Sequence, residues 1–145
     1  MKLFTIGFTK KSAEKFFTLL SDAGVKSVID IRLNNTSQLA GFAKKDDLCF
    51  FLNRVGHIDY VYVPELAPTQ DIIDAFKKHK ERWETYEKNF KTLLLERRVE
   101  EMISRSLLDG GCLLCSEESP AKCHRRLVAE YFRDRWSDIE IVHLV

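Results

Sequence analysis

Residues able to carry out chemistry are concentrated in one short segment in the last third of the chain. It contains the thiols of Cys115 and Cys123, the carboxylate of Glu117, the imidazole of His124 and the guanidinium of Arg125. A thiol close to a helix start and to arginines has a lowered pKa, and its thiolate is the nucleophilic form. A carboxylate or an imidazole can move the proton. The segment therefore predicts Cys115 as a nucleophile, with Glu117 and His124 as the groups that transfer the proton.

The elements that position these residues can be read from the neighbouring sequence. Residues 112–115 form a short apolar run after two glycines, which indicates a buried strand that follows a turn. Ser119 and Pro120 are typical of a helix start, and the helix is predicted to run to about Arg135. Cys115 is then expected at the carboxyl end of a strand, facing the positive end of a helix.

The first turn of that predicted helix is unusually cationic. Lys122, Arg125 and Arg126 oppose the helix dipole, which favours acidic residues at this end. An anion bound to free backbone N–H groups and to Arg125 would compensate for the repulsion. We therefore expect an anionic group such as phosphate at this helix start, with Arg32 as the second guanidinium.

The same residues also fit other interpretations. Cys115 and Cys123 can be inert apolar residues in a tight strand–helix contact, with His124 bonded to a backbone carbonyl. The pocket can instead bind a nucleotide, a phosphate or a nucleic-acid end through Arg32 and Arg125 without any reaction. Binding of this kind depends strongly on salt. A further possibility is an interaction protein with the long charged helices as its contact surface, for which the sequence specifies no partner.

A zinc site is the least favoured interpretation of the segment. Cys115, Cys123 and His124 contain suitable ligand atoms, and His57 or Asp30 could complete the set. However, neighbouring side chains leave a helix about 100° apart, so Cys123 and His124 are not expected to converge on one ion. We therefore predict no metal ligands, and the sequence indicates no particular cofactor.

The rest of the chain alternates between strand and helix patterns. Apolar runs predict five strands, near residues 3–6, 27–32, 58–63, 112–115 and 139–144. Segments of helical periodicity separate them, at residues 12–24 and 46–56 and over most of residues 72–108. This alternation predicts one α/β domain over residues 1–145, a three-layer, Rossmann-like arrangement with a mostly parallel five-stranded sheet and helices on both faces.

Such a sheet binds ligands beyond the carboxyl ends of its strands. Residues expected at this edge are predicted to bind the ligand together with the cysteine segment: Gly7, Thr9, Asp30, Arg32, Glu65, Cys123 and Arg125. Rings that could stack on a base are Phe8, Phe42 and Tyr62. The stripe from Trp83 to Leu94 is interpreted as core, and residues 33–45 are interpreted as a polar surface loop.

Composition limits the function classes. The chain has 145 residues, 45% hydrophobic residues and a formal net charge of +1, so it has no general attraction for nucleic acid or anionic membranes. No apolar run reaches about 18 residues, and Met1 precedes a predicted strand and not a signal peptide. We therefore expect a cytoplasmic protein with no membrane partner. Its four cysteines are expected to be reduced, with Cys49 in the core.

The sequence resembles a bacterial and archaeal family catalogued as domain of unknown function 488, over essentially the whole chain. The most specific part is the Cys-x-Glu…Pro-x-x-Cys-His-Arg signature between Cys115 and Arg125. Residues 5–7, 30–32 and 64–66 also contribute. The resemblance implies the location of the site and no particular reaction.

Two details refine the resemblance. Residues 33–42 match a subgroup reading Leu-Asn-Asn-Thr-Ser-Gln-Leu-Ala-Gly-Phe, whereas Phe8 stands where many members have His. A catalytic imidazole from the loop after the first strand is therefore not expected. We expect a protein of uncharacterised activity with a pocket for a small anionic ligand or nucleotide and Cys115 as a nucleophile. A non-catalytic nucleotide or nucleic-acid binding module using Arg32 and Arg125 is the alternative.

Overall fold

A parallel sheet of five strands forms the centre of the protein. The structure is a computed structural model that describes residues 1–36 and 41–145. The strands are β1 (Lys2–Gly7), β2 (Ser27–Asp30), β3 (Asp59–Tyr62), β4 (Gly111–Cys115) and β5 (Glu140–Leu144). Their spatial order is β3-β2-β4-β1-β5, and every neighbouring pair is parallel. The predicted α/β class and the parallel five-stranded sheet are confirmed.

Helices connect the strands and cover both faces of the sheet. Within the described residues they are α1 (Ala13–Ala23), α2 (Lys45–Phe51), α3 (Gln70–Lys77), α4 (Trp83–Arg97), α5 (Arg105–Leu108) and α6 (His124–Arg135). Two of the predicted helix starts are confirmed by caps: the hydroxyls of Ser12 and Thr69 accept bonds from the N–H groups of Lys15 and Ile72. Gly24 ends α1 in the left-handed region, as predicted.

The two faces of the sheet have separate apolar cores. On one face, Phe16 and Leu20 of α1 and Leu48 of α2 pack with strand residues that include Ile6 and Leu114. On the other face, the core contains the buried residues of α4 and α6 with strand residues such as Ile29 and Leu113; the α4 residues are Tyr86, Phe90 and Leu94. The interpretation of the Trp83–Leu94 stripe as core is therefore confirmed for its three buried members.

The winding direction changes between β1 and β4. β1 leads into α1 on one face, whereas β4, its neighbour in the sheet, leads into α6 on the opposite face. The segments that follow these two strands diverge at the carboxyl edge, and a ligand site is common at such a point. Cys115 is the last residue of β4, so it lies at this position.

The start of α6 differs from the prediction. The helix begins at His124 and not at Pro120, because residues 120–123 form a turn in which the Cys123 N–H donates to the Pro120 carbonyl. Ser119 caps this turn, with its hydroxyl accepting from the Ala121 N–H at 3.3 Å. Cys123 is the helix N-cap, with the extended backbone angles φ −137° and ψ 142°. Cys123 and His124 are therefore not neighbours within a helix.

The structure differs from the predictions at one residue of the polar loop and at one residue of the second helix. The Asn35 side chain is buried and donates to Asp30 Oδ2 at 3.3 Å, although its segment was expected to lie on the surface. Cys49 is exposed and not in the core. Leu48 and Leu52, one helical turn apart, face the core and leave Cys49 on the exposed side of the helix. α2 ends at Phe51 and continues as a π-helical turn over Leu52–Gly56.

None of the described helices is both long enough and apolar enough to cross a membrane.

Candidate active site

Cys115 and Cys123 are joined by a disulfide at the carboxyl edge of the sheet. β4 places Cys115 there, and residues 116–122 return over the strand end to bring Cys123 alongside. The expectation of four reduced thiols is therefore wrong for this pair, because the turn at Pro120 folds the segment back. Both residues are buried, with 2% of their surface exposed. The two free cysteines are Cys49, which is exposed, and Cys112, whose pKa is raised by burial.

Arg125 is completely buried and lies beneath the loop of residues 116–122 that joins the two cysteines. Its Nη1 donates to the Glu117 carbonyl at 2.6 Å and lies 3.8 Å from Cys115 Sγ, while Nη2 donates to the Glu118 carbonyl at 3.2 Å. Its Nε has no hydrogen-bond partner within the described residues. Burial lowers the pKa of Arg125 to about 10, which still leaves the guanidinium charged at neutral pH. A positive charge therefore lies beside the sulfur of Cys115.

The loop after β1 contacts the backbone of the segment that follows Cys115. The Thr9 N–H donates to the Ser116 carbonyl at 3.0 Å. Gly7 lies against the Glu117 carbonyl so closely that a Cβ atom there would overlap it, and the same Cβ would lie 2.8 Å from Arg125 Nη1. Gly7 and Thr9 thus contact the backbone of the cysteine loop, and their position is at the edge predicted from the sequence.

The change Gly7→Ala should destabilise the protein by about 1–3 kcal/mol, because the added methyl group displaces the Glu117 carbonyl from Arg125. Gly41→Ala is the matched control: a Cβ there meets no atom of the described residues within 4 Å, and its φ is not in the left-handed region. We expect the control to change stability by about 0.5 kcal/mol or less. Urea unfolding of the two variants measures the difference, and equal stabilities would contradict the assigned contact.

His124 contributes an imidazole whose tautomer is determined by its partner. Its Nε2 lies 2.7 Å from the Ile31 carbonyl oxygen, which only accepts hydrogen bonds. Nε2 must therefore carry the proton, and Nδ1 keeps its lone pair. Burial lowers the pKa of His124 to about 4, so the ring is neutral at pH 7. A ring nitrogen of His124 and the sulfurs of Cys115 and Cys123 lie within 4.8 Å of one another.

Arg32 and Asp30 form a buried ion pair beside this cluster. Arg32 Nε and Nη2 donate to the two carboxylate oxygens of Asp30, each at 2.8 Å, and Nη1 donates to the Ala43 carbonyl at 2.6 Å. Asp30 also accepts from the Tyr60 hydroxyl at 2.5 Å, and burial raises the pKa of Tyr60. All three guanidinium nitrogens of Arg32 thus donate within the protein, whereas the sequence analysis assigned them to an anion.

A cavity of about 430 Å³ opens next to the cysteine pair. Cys115, Cys123 and His124 form one part of its wall, and Glu117 and Arg32 also line it. The opposite part comes from α3 and the start of α4. Its most prominent side chains are Phe76, Lys77, Trp83 and Tyr86.

Comparison with known proteins identifies the family of the chain but no activity. Residues 12–132 match the family model described as Domain of unknown function DUF488. The chain belongs to the DUF488 family. No curated protein and no solved structure matches the chain significantly. The chemistry of this DUF488 protein must therefore be inferred from the geometry of its own residues.

The sequence analysis missed several cavity residues of this DUF488 protein. Lys77 and Lys122 are exposed cations at the cavity, and Lys77 Nζ lies 3.4 Å from Glu117 Oε1. Phe76 and Trp83 have ring centroids 5.4 Å apart, and both rings line the cavity. The sequence signal of Trp83 was the helical spacing that predicted core, whereas Phe76 lay outside that stripe. The signal could not show that α3, which has no buried residue, leaves part of this surface open.

Other predicted site residues of the DUF488 protein lie apart from the cavity wall. The Glu65 carbonyl accepts from Arg97 Nη1 at 2.8 Å, which connects its loop to α4. The Phe8 ring lies under the guanidinium of Arg32, with 5.5 Å between the ring centroid and Cζ. Tyr62 lies beneath Lys45 on the far side of β2 from β4, and Phe42 packs against Phe16. The rings expected to stack on a base are thus not the rings that line the cavity.

Proposed function

We propose that this DUF488 protein is a thiol enzyme in which Cys115 is the attacking sulfur and Cys123 the resolving sulfur. Its substrate is a small anionic disulfide that binds in the cavity beside α3. The observation that supports this proposal most strongly is the Cys115–Cys123 disulfide with the guanidinium of Arg125 at 3.8 Å from Cys115 Sγ. A buried inert cysteine would need neither a sulfur partner nor an adjacent cation.

The reaction proceeds in two exchange steps. The thiolate of Cys115 attacks one sulfur of the substrate disulfide, and the substrate sulfur–sulfur bond breaks and releases one thiolate. Cys123 then attacks the Cys115 sulfur of the mixed disulfide, which releases the second substrate thiolate and forms the Cys115–Cys123 bond. The substrate gains the two electrons that the cysteine pair loses. An external dithiol reduces the pair again by the same exchange chemistry.

Arg125 distinguishes the roles of the two sulfurs. Its Nη1 points toward Cys115 Sγ, so it stabilises negative charge on Cys115 when Cys115 attacks and when it leaves. Cys123 occupies the N-cap of α6, where the positive end of the helix favours its own thiolate. Both sulfurs therefore have an electrostatic reason to react, and Cys115 is the one with a fixed cation.

The exposed cations at the cavity support an anionic substrate. Arg32 and Arg125 donate to protein oxygens, so an incoming anion meets the exposed ammonium groups of Lys77 and Lys122 instead. Glu117 pairs with Lys77, and an anionic substrate group would compete for this lysine. Phe76 and Trp83 provide a flat apolar surface for a ring of the substrate.

The same aromatic surface favours one second candidate, a nucleotide-binding module that performs no reaction. A base could stack on Trp83 while the phosphates contact the two lysines. This function does not require the cysteine pair. Nucleotide binding that is unchanged in Cys115→Ser, together with slow thiol exchange in the unmodified protein, would favour the module over the enzyme.

The test compares two disulfides with the reduced protein in a Cys49→Ser background, which removes the exposed free thiol. Dithiobis(nitrobenzoate) is aromatic and dianionic, whereas bis(hydroxyethyl) disulfide is neutral and has no ring. We expect the first to react rapidly and to release two thionitrobenzoate ions per protein, the second ion after the first. The reactivity ratio of the two reagents is measured relative to their ratio with free glutathione.

Lys77→Ala with Lys122→Ala should reduce the preference for the anionic reagent several-fold and weaken its salt dependence, because both changes remove charge at the cavity. Lys88→Ala, an exposed lysine on α4 that does not line the cavity, is the matched control. A reactivity ratio equal to that of glutathione in the unmodified protein would contradict the proposed anion specificity. Release of only one ion would contradict the role of Cys123.

A further inference from the structure

Once the disulfide is reduced, Cys115, Cys123 and the neighbouring His124 can act together in a second kind of chemistry. Reduction leaves two thiols next to an imidazole, and the ligand atoms of Cys115, Cys123 and His124 lie within 4.8 Å of one another. Sulfur and imidazole nitrogen are the ligands that zinc prefers, at about 2.3 Å and about 2.0–2.1 Å. Tetrahedral coordination at these lengths places the ligand atoms about 3.5–3.8 Å apart. Small side-chain rotations therefore reach the required separation.

The backbone removes the objection raised by the sequence. Cys123 and His124 would diverge by about 100° if they were consecutive residues of a helix. Cys123 is instead an extended N-cap, and only His124 is helical. The Cα atoms of Cys115 and Cys123 are 7.5 Å apart, farther than the roughly 4.4–6.8 Å of most disulfides, and this spacing suits two thiolates that share an ion.

The surroundings of His124 and Arg125 also suit a metal ligand set. A ligating histidine usually donates its other ring N–H to a carbonyl or carboxylate, which fixes its tautomer. His124 Nε2 donates in this way to the Ile31 carbonyl, which leaves Nδ1 for the ion. Arg125 Nη1 lies near Cys115 Sγ and can donate to a thiolate that is already bound to the ion.

We propose that the reduced protein binds one zinc-like divalent ion through Cys115 Sγ, Cys123 Sγ and His124 Nδ1, with its fourth position open to the cavity. Binding converts the two thiols to thiolates and releases two protons. Oxidation of the pair by the anionic disulfide converts both sulfurs to a disulfide and expels the ion. The ion and the disulfide are thus mutually exclusive states of one site. This inference concerns the site of the proposed enzyme but does not depend on its turnover.

Cobalt(II) is the probe, because thiolate–cobalt bonds give intense charge-transfer absorption. The protein is reduced with a phosphine, which does not compete as a thiol would, in the Cys49→Ser background. We expect one equivalent of cobalt to produce thiolate bands and tetrahedral d–d bands, and one equivalent of zinc to displace it. Oxidised protein should show neither band. Cys112→Ala, which changes the buried cysteine of the opposite face, should bind like its parent.

The variants identify the ligands. Cys115→Ser and Cys123→Ser should each weaken cobalt binding by at least tenfold and reduce the thiolate band. His124→Ala should weaken binding while keeping both sulfur contributions. Circular dichroism checks that each variant is folded; if His124→Ala is not, His124→Gln takes its place. Absence of thiolate bands in the reduced parent, or bands unchanged in Cys123→Ser, would overturn the proposal.

The experiments test the proposed metal site and the proposed thiol exchange independently of each other. If cobalt binds as expected but dithiobis(nitrobenzoate) reacts no faster with the metal-free reduced protein than with glutathione, only the proposed thiol exchange is wrong. If exchange is rapid and releases two ions but no metal band appears, only the metal site is wrong. The exchange assay includes a chelator so that bound zinc does not block the sulfurs.

Discussion

After reaction with dithiobis(nitrobenzoate), the Cys123→Ser variant should keep thionitrobenzoate bound to Cys115 as a stable mixed disulfide. In this variant Cys115 attacks dithiobis(nitrobenzoate) and releases one thionitrobenzoate ion, but no second thiol is available to resolve the adduct. Cys115→Ser should react at least tenfold more slowly, because the remaining thiol lacks the adjacent guanidinium of Arg125. Stopped-flow absorbance gives the rates, and intact-protein mass spectrometry shows the adduct.

The background for this comparison is Cys49→Ser, since Cys49 is exposed and would react in every variant. Cys112 is buried, and the pKa of its thiol is raised by burial, so it contributes little signal. The melting temperatures of the reduced proteins serve as the control for packing. Equal reaction rates for the two serine variants would show that Arg125 does not select Cys115, and the assignment of roles would be wrong.

The largest loss of stability is expected for Asp30→Asn. The change leaves the buried guanidinium of Arg32 without the carboxylate that accepts from its Nε and Nη2. Removing one partner of a buried ion pair typically costs about 3–5 kcal/mol, because the other charge stays buried. The Tyr60 hydroxyl also loses a charged acceptor. Urea unfolding of the reduced proteins measures the change in the free energy of unfolding.

Two further variants give reference values for the loss of stability expected in Asp30→Asn. Tyr60→Phe removes the hydroxyl that donates to the Asp30 carboxylate and accepts from Asn35 Nδ2 at 3.4 Å, and it should cost about 1.5–3 kcal/mol. Asp138→Asn breaks the exposed pair with Arg105, and solvent screening should leave little measurable change. If Asp30→Asn is no more destabilising than Asp138→Asn, the buried Asp30–Arg32 pair does not stabilise the fold as proposed.

Local sequence signals predicted most of the fold. Ser12, Gly24 and Thr69 each act through a hydrogen bond or a backbone angle within a few residues, so their roles can be read without the tertiary structure. The alternating strand and helix patterns then determined the parallel sheet and its two covered faces. The position of Cys115 at the end of β4 followed from the same local reasoning.

The partners of the site residues could not be predicted in this way. Arg32 donates to the Ala43 carbonyl and His124 to the Ile31 carbonyl, 11 and 93 residues away in sequence. Such contacts depend on how loops meet in three dimensions. The Ser119–Pro120 pair misled the helix prediction because the same residues also begin a turn. That turn brings Cys123 to Cys115, so the disulfide and the approach of His124 to both sulfurs were not predicted.

Disulfide mapping by mass spectrometry shows directly whether Cys115 and Cys123 form the reactive pair. The reduced Cys49→Ser protein is treated with one equivalent of dithiobis(nitrobenzoate), quenched with iodoacetamide and digested with trypsin, which cleaves after Lys122 and so separates the two cysteines. We predict a cross-link between peptides 106–122 and 123–125, with fragmentation placing the bond on Cys115 and not on Cys112. Alkylated Cys123 with no cross-link, or a bond to Cys112, would contradict the assignment of Cys115 and Cys123 as the reactive pair.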